Sequence, residues 1–124
     1  WSIIDNNPKI IFDAAHYVGG FESIGKQLSK LSYDKLFVLL SFVKGKKINN
    51  LISKLPSDAK LYFTTLSIER SMSFEEIKLN VEGNIIFDKS PKKILNHIKK
   101  ETSSDDLILI TGSNFIAKEL FYEN

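Results

Sequence analysis

Apolar positions along the chain fall into two kinds of run. Trp1 to Ile4 and Lys9 to Asp13 are short apolar stretches separated by Asp5-Asn6-Asn7-Pro8. Those turn-forming residues predict a hairpin, and so one antiparallel strand. Leu36 to Phe42 is continuously apolar, as expected of a strand covered on both faces. Leu61 to Thr64 and Leu107 to Ile110 read as further core strands, and Asn84 to Phe87 as a short one. Between these runs the spacing changes to three and four. Phe21, Ile24, Leu28 and Leu31 form one helical stripe. Ile48, Leu51, Ile52 and Leu55 form a second, stopped by Pro56. Ser73-Phe74-Glu75-Glu76 has the form of a capping box, with Met72 and Ile77 placed as a hydrophobic staple. Ser90 predicts an N-cap with Pro91 behind it, ahead of Ile94, Leu95 and Ile98. A last helix is predicted from about Asn114, carrying Ile116, Ala117, Leu120 and Phe121. Strands alternating with helices predict an α/β fold: an open, mostly parallel sheet of about six strands, one of them antiparallel, with helices on both faces.

Composition narrows what such a fold can do. The 124 residues suit one domain, 1–124, large enough to bury a core without disulfides or metals. Hydrophobic residues make up 43% and charged residues 26%, the profile of a soluble globular protein. The net charge of +2, with lysines dispersed rather than in one stripe, argues against a nucleic-acid partner. With no cysteine there is no thiolate chemistry and no disulfide framework, which fits a cytoplasmic setting. No apolar run approaches the roughly 20 residues of a membrane span, and no signal peptide is present. The start at Trp1, without methionine and almost directly into a strand, suggests a piece of a longer protein.

In an open, Rossmann-like sheet, ligands bind beyond the carboxyl ends of the strands. Following each predicted strand are Asp13-Ala14-Ala15-His16, then Val43-Lys44-Gly45-Lys46, then Thr64-Thr65 with Arg70 further on, and finally Thr111-Gly112-Ser113-Asn114. One edge would therefore collect a carboxylate, an imidazole, cations, hydroxyls and a glycine turn leading into a helix with free backbone N–H groups. That set suits a phosphorylated or carboxylated ligand. Each residue also has a structural explanation. Asp13 could cap a turn, His16 could be an ordinary loop histidine, and Gly112-Ser113 could be a turn with an N-cap. Arg70, the only arginine, could sit in a surface ion pair. His97, among lysines on an amphipathic helix, reads as structural or solvated.

Gly20-Phe21-Glu22-Ser23-Ile24-Gly25-Lys26 matches the phosphate-binding pattern G-x-x-x-x-G-K. Gln27 stands where that loop needs a magnesium-binding hydroxyl, and Phe21 and Ile24 are in phase with Leu28. The stretch is predicted to be helix. No Cys/His metal pattern and no signature of a nucleophilic triad is present.

Pro8-Lys9-Ile10-Ile11-Phe12-Asp13-Ala14-Ala15-His16 resembles the P-x-x-x-x-D-G-A-H-N segment of folylpolyglutamate and dihydrofolate synthases, members of the Mur ligase superfamily. Leu39 to Lys47 resembles their strand and loop ending in G-x-K-D, and Leu109 to Phe115 their closing V-T-G-S-L-Y. Arg70 falls where they carry a proline-arginine pair. The resemblance covers essentially the whole chain. It implies the carboxy-terminal domain of an ATP-dependent ligase that adds L-glutamate to folate or dihydropteroate through an acyl phosphate. ATP and Mg2+ would bind mainly to an amino-terminal ATPase domain of the same chain, and the parent would be a monomer. Carried onto this chain, the family's roles put Asp13 at the nucleotide, and His16 and Ser113 near the incoming glutamate. Lys46, Arg70 and Gly112 are further candidates, and no residue is assigned to metal. No catalytic residue is placed in this domain, and the piece alone is predicted to be inactive. Ala14, Tyr17, Lys47, Glu69 and Asn114 depart from the family pattern. Those at Ala14, Tyr17 and Lys47 keep open a catalytically degenerate binding module; a Mur-type cell-wall amino-acid ligase domain is the alternative within the superfamily, against which the D-x-A-H and T-G-S elements speak.

Overall fold

The computed structural model describes residues 1–121. Its strands are β1 (Ser2–Asn6), β2 (Lys9–Phe12), β3 (Leu36–Leu40), β4 (Lys60–Phe63), β5 (Ile86–Phe87) and β6 (Leu107–Thr111). Its helices are α1 (Val18–Leu28), α2 (Ile48–Ile52), α3 (Phe74–Asn80), α4 (Pro91–Glu101) and α5 (Phe115–Phe121). The six strands form one sheet in the order β1-β2-β6-β3-β4-β5. Only β1 runs antiparallel to its neighbour; the other pairs are parallel. The predicted α/β architecture is the one found.

Alternation along β3 sorts its side chains onto two faces. Val38 and Leu40 pack with Phe21, Ile24, Leu28, Ile48, Met72 and Ile77, so α1, α2 and α3 cover one side. Phe37 and Leu39 pack with Ile94, Leu95, Ile98 and Ile116, so α4 and α5 cover the other. Each such side chain withdrawn from water contributes about 1.5–3 kcal/mol. Both faces of β3 and β6 are buried, which is why their sequences show no polar alternation.

Several local details differ from the prediction. In the hairpin Asn6 pairs with Lys9, which narrows the turn to Asn7-Pro8, and a register shift between Ile3 and Asp5 takes up the extra residue. β1 is wholly exposed, with Ile3 and Ile4 facing outwards. α2 ends at Ile52, but Lys54 N–H and Leu55 N–H donate to Leu51 O and Ile52 O. This tight last turn brings Leu55 into the core.

The capping box is half made. Ser73 Oγ accepts from Glu76 N–H at 3.1 Å, while the Glu76 carboxylate accepts from Gly45 N–H at 3.3 Å instead. Met72 and Ile77 are both fully buried, as a staple requires. The G-x-x-x-x-G-K stretch lies inside α1. A Cβ on Gly20 would meet Ala15 Cβ at 2.8 Å, and one on Gly25 would meet Lys54 O at 2.8 Å. Those glycines let the helix sit close to its neighbours, which accounts for the pattern without a phosphate.

Candidate functional site

The parallel strands open at one edge, where their loops are stitched together by backbone groups. Asp13 N–H donates to Ile110 O at 3.0 Å, extending the ladder between β2 and β6. Asp13 Oδ1 accepts from Ala15 N–H at 2.9 Å, a turn-forming bond, and Oδ2 lies 2.9 Å from the Trp1 backbone nitrogen. Ala15 O accepts from Gly112 N–H at 3.0 Å and from Thr111 Oγ1 at 3.5 Å. The loop after β2 is thereby tied to the loop after β6. His16 stands exposed beyond this knot, with Nδ1 3.2 Å from Ala14 O and its ring edge-on to Tyr17.

Gly112 adopts φ +104, and a Cβ there would fall 2.2 Å from Ser41 O. Only glycine meets both conditions. The next residue, Ser113, is 3% exposed, and its Oγ accepts from Phe115 N–H at 3.1 Å. The amide of Phe115, one of those at the helix start that the sequence reading left free for a ligand, is therefore already engaged, as is that of Gly112.

The loops after β3 and β4 form a second knot. Lys44 N–H donates to Arg70 O at 2.7 Å, Val43 bridges Ser71, and Met72 N–H donates to Phe42 O at 2.8 Å. Gly45 takes φ +84 and is held by Glu76. The Arg70 guanidinium lies 5.6 Å from the Phe115 ring centroid, within reach of a cation–π contact. Among the described residues Arg70 makes no ion pair. The stacked aromatic takes the place of the surface ion pair that the sequence allowed.

The two knots enclose a cleft of about 290 Å³ lined by His16, Val43, Lys46, Arg70, Gly112, Ser113, Asn114 and Phe115. Five of the six candidate residues meet there. Asp13 does not line it, lying behind the Ala15 turn. The lining holds two permanent cations and an imidazole and no carboxylate, so the cleft is electropositive and suits an anionic ligand. A cavity of about 410 Å³ lies at the opposite end of the strands, beside Tyr33, Asp34 and Asp105. It is larger, but its walls carry opposed charges and lie away from the strand carboxyl ends. Among the described residues no group of three or more His, Asp or Glu side chains is placed to hold a metal.

Sequence reasoning missed Phe115 and Glu76. An aromatic one residue into the last helix was the available signal for the first. For Glu76 the capping-box reading concealed its bond to the Gly45 loop.

His97, read as structural or solvated, is exposed, with Nε2 2.9 Å from Glu101 Oε1. The same carboxylate accepts from Tyr62 Oη–H at 2.8 Å and pairs with Lys60 at 2.6 Å. Burial first, and then the bond to Glu101, push the Tyr62 phenol up to about 12. The hydrogen bond from Lys60 is the main cause holding the Glu101 carboxyl below its usual range.

The family model described as "Mur ligase, glutamate ligase domain" matches residues 1–114. No curated protein sequence matches the chain. Among solved structures, Escherichia coli FolC in complex with ADP aligns with a TM-score of 0.80 at 21% identity, over 90% of this chain and 28% of that one. The bifunctional folylpolyglutamate synthase/dihydrofolate synthase of Yersinia pestis, complexed with AMPPNP and Mn ion, aligns with a TM-score of 0.81 at 15% identity, over 90% and 27%. Mycobacterium tuberculosis folylpolyglutamate synthase, complexed with ADP and AMPPCP, gives 0.74 at 17% identity, over 90% and 28%. The fold is shared, and the chain spans under a third of each of these proteins.

Proposed function

We propose, from the premise that the chain belongs to the glutamate ligase domain family of the Mur ligases, that it is the carboxy-terminal domain of an ATP-dependent ligase adding L-glutamate to folate or dihydropteroate. The observation that carries this reading is the cleft in which His16, Lys46, Arg70, Gly112 and Ser113 converge with no carboxylate among them. Glutamate brings two carboxylates and one amine, and Lys46 and Arg70 are suited to the carboxylates. The Ser113 hydroxyl, accepting from its own helix, keeps its proton to donate to the same ligand. His16, at the exposed rim, would face the amine, and Asp13 would sit beside the nucleotide.

The residues here fit an anion, and ATP and its divalent cation would be held mainly by a preceding domain of the same polypeptide. When bound there, the nucleotide supplies an activated acceptor carboxylate, an acyl phosphate. This chain's residues would then orient the glutamate amine towards the acyl carbon, so that the amide forms as phosphate leaves. Their contribution is positioning and charge stabilisation, and closure of the domain over the cleft would exclude water from a hydrolysable intermediate. One charge-assisted bond to glutamate contributes about 1.5–3 kcal/mol, so its loss should raise the Michaelis constant roughly 10- to 100-fold.

The test is ATP-dependent addition of labelled glutamate to tetrahydrofolate and to dihydropteroate by the full-length protein, alongside Asp13→Ala, His16→Ala and Arg70→Met. A sharp drop in folded variants supports the reading, and the preferred acceptor fixes the branch. No incorporation into either acceptor would sink it in favour of another amino-acid ligase or a degenerate relative. Unchanged kinetics in all three variants would remove these site assignments while leaving the family intact.

A further inference from the structure

Arg70 sits on a loop, yet several contacts fix where its guanidinium points. The loop closes on itself, because Leu66 N–H donates to Ser71 Oγ at 2.8 Å and Ser71 N–H donates to Ile68 O at 3.1 Å. Its base is joined to the β3 loop through Arg70 O and Lys44 N–H. Its outer wall is gripped by α5 at two points. Ser67 donates to Glu119 through both its backbone N–H, at 2.9 Å, and its hydroxyl, at 2.7 Å. Four residues earlier on the same helix, Phe115 lies under the guanidinium. Positions four apart lie on one helical face, so Glu119 and Phe115 act as one two-point clamp.

Charge explains why this arrangement serves a ligand. A glutamate on the helix face that meets the arginine loop could neutralise Arg70 directly. Instead its two oxygens are taken by the two donors of Ser67. Among the described residues Arg70 has no carboxylate partner, so its donors remain available to an anion in the cleft.

We infer that Glu119 is a positioning residue: by holding Ser67 it sets the loop that presents Arg70 to the anionic substrate. This rests on the ligase reading of the cleft.

The experiment uses the full-length protein and the labelled-glutamate assay, with Glu119→Ala, Glu119→Gln, Ser67→Ala, Arg70→Met and the Glu119→Ala/Arg70→Met double variant. Glu119→Ala should raise the Michaelis constant for glutamate about tenfold and leave kcat within about twofold. Ser67→Ala should fall in the same direction, and Glu119→Gln, which keeps one acceptor oxygen, should recover part of the loss. In the Arg70→Met background Glu119→Ala should add nothing, since the interaction it serves is gone. A further, additive loss there would overturn the inference, showing that Glu119 acts by another route. An unchanged constant in Glu119→Ala, with a raised one in Arg70→Met, overturns it while leaving the ligase reading standing. An unchanged constant in both removes the role of Arg70 and this inference with it. Independently of activity, amide exchange across Leu66 to Ser71 should be about tenfold faster in Glu119→Ala. Unchanged exchange there refutes the clamp even if no acceptor is turned over.

Discussion

Replacing Gly112 by alanine tests the geometry on which the cleft depends. Two penalties act together at this position. The backbone takes φ +104, and an L-residue held in a sparsely populated region of this kind costs about 1–3 kcal/mol. The added Cβ would also fall 2.2 Å from the Ser41 carbonyl oxygen and 3.2 Å from Phe42 Cε1. The first contact is with backbone joined to the central strand pair, since Ser41 N–H donates to Thr111 O at 3.3 Å. Relief requires β3 and β6 to separate or Gly112 to swing away from Ala15, and overpacking of this kind costs about a further 1–3 kcal/mol. The total, about 4 kcal/mol, is a large part of the ~5–15 kcal/mol that stabilises an ordinary domain. At a few degrees per kcal/mol it corresponds to a fall in Tm of roughly 10–20 °C.

Gly45→Ala supplies the control, because Gly45 also has positive φ, +84, yet nothing lies within 4 Å of its would-be Cβ. It should show the conformational penalty alone, about 1–3 kcal/mol. Urea and thermal denaturation of both variants give the comparison. If Gly112→Ala costs no more than Gly45→Ala, the steric argument is wrong and the strand ends are not in contact as described.

Three further outcomes follow from the same structure. The folded phenol of Tyr62 is raised from 10.0 to about 12, so the folded chain keeps a proton that the unfolded chain surrenders. This contribution should be complete below about pH 10 and fade as the pH rises towards about 12, and Tyr62→Phe should flatten the slope seen in alkaline urea titrations. Thr64 Oγ1 and Ser41 Oγ are buried without a hydrogen-bond partner among the described residues. Thr64→Val should accordingly leave stability unchanged or raise it by up to about 1 kcal/mol, and a loss of more than about 1 kcal/mol on chemical denaturation would contradict this. The chain by itself should release no phosphate from ATP in response to folate and glutamate, because at most one wall of the proposed site belongs to it; turnover above buffer background would refute that division of labour.

Element types were legible because burial leaves a direct mark on sequence. Leu107 to Ile110 and Leu36 to Leu40 are apolar at every position because helices cover both faces of the sheet. Ser90 with Pro91 located the start of α4 because the cap chemistry is local, and Ser90 Oγ does accept from Lys93 N–H at 3.2 Å. The turn at Asn7-Pro8 and the end of α2 were misjudged by a residue or more because both depend on tertiary fit. Convergence of His16, Lys46, Arg70 and Ser113 was legible from one rule, that loops following parallel strands share an edge. What the rule could not supply was side-chain pairing across long separations. Glu119 to Ser67 spans 52 positions and Glu76 to Gly45 spans 31, and no local pattern links either pair.

The place of β6 has a consequence for synthesis on the ribosome. β6, the last strand among the described residues, lies between β2 and β3, and the Lys35–Asp106 bond that borders it joins residues 71 positions apart. While the chain emerges, β2 and β3 have no strand between them, and two apolar edges wait for a partner still being translated. Folding should therefore be withheld until Leu107 to Thr111 clears the exit tunnel, and should then proceed slowly, as expected where distant segments must meet first. A nascent chain arrested before Leu107 should remain protease-sensitive from Trp1 onwards, and one arrested well beyond Thr111 should acquire protection across that stretch in a single step.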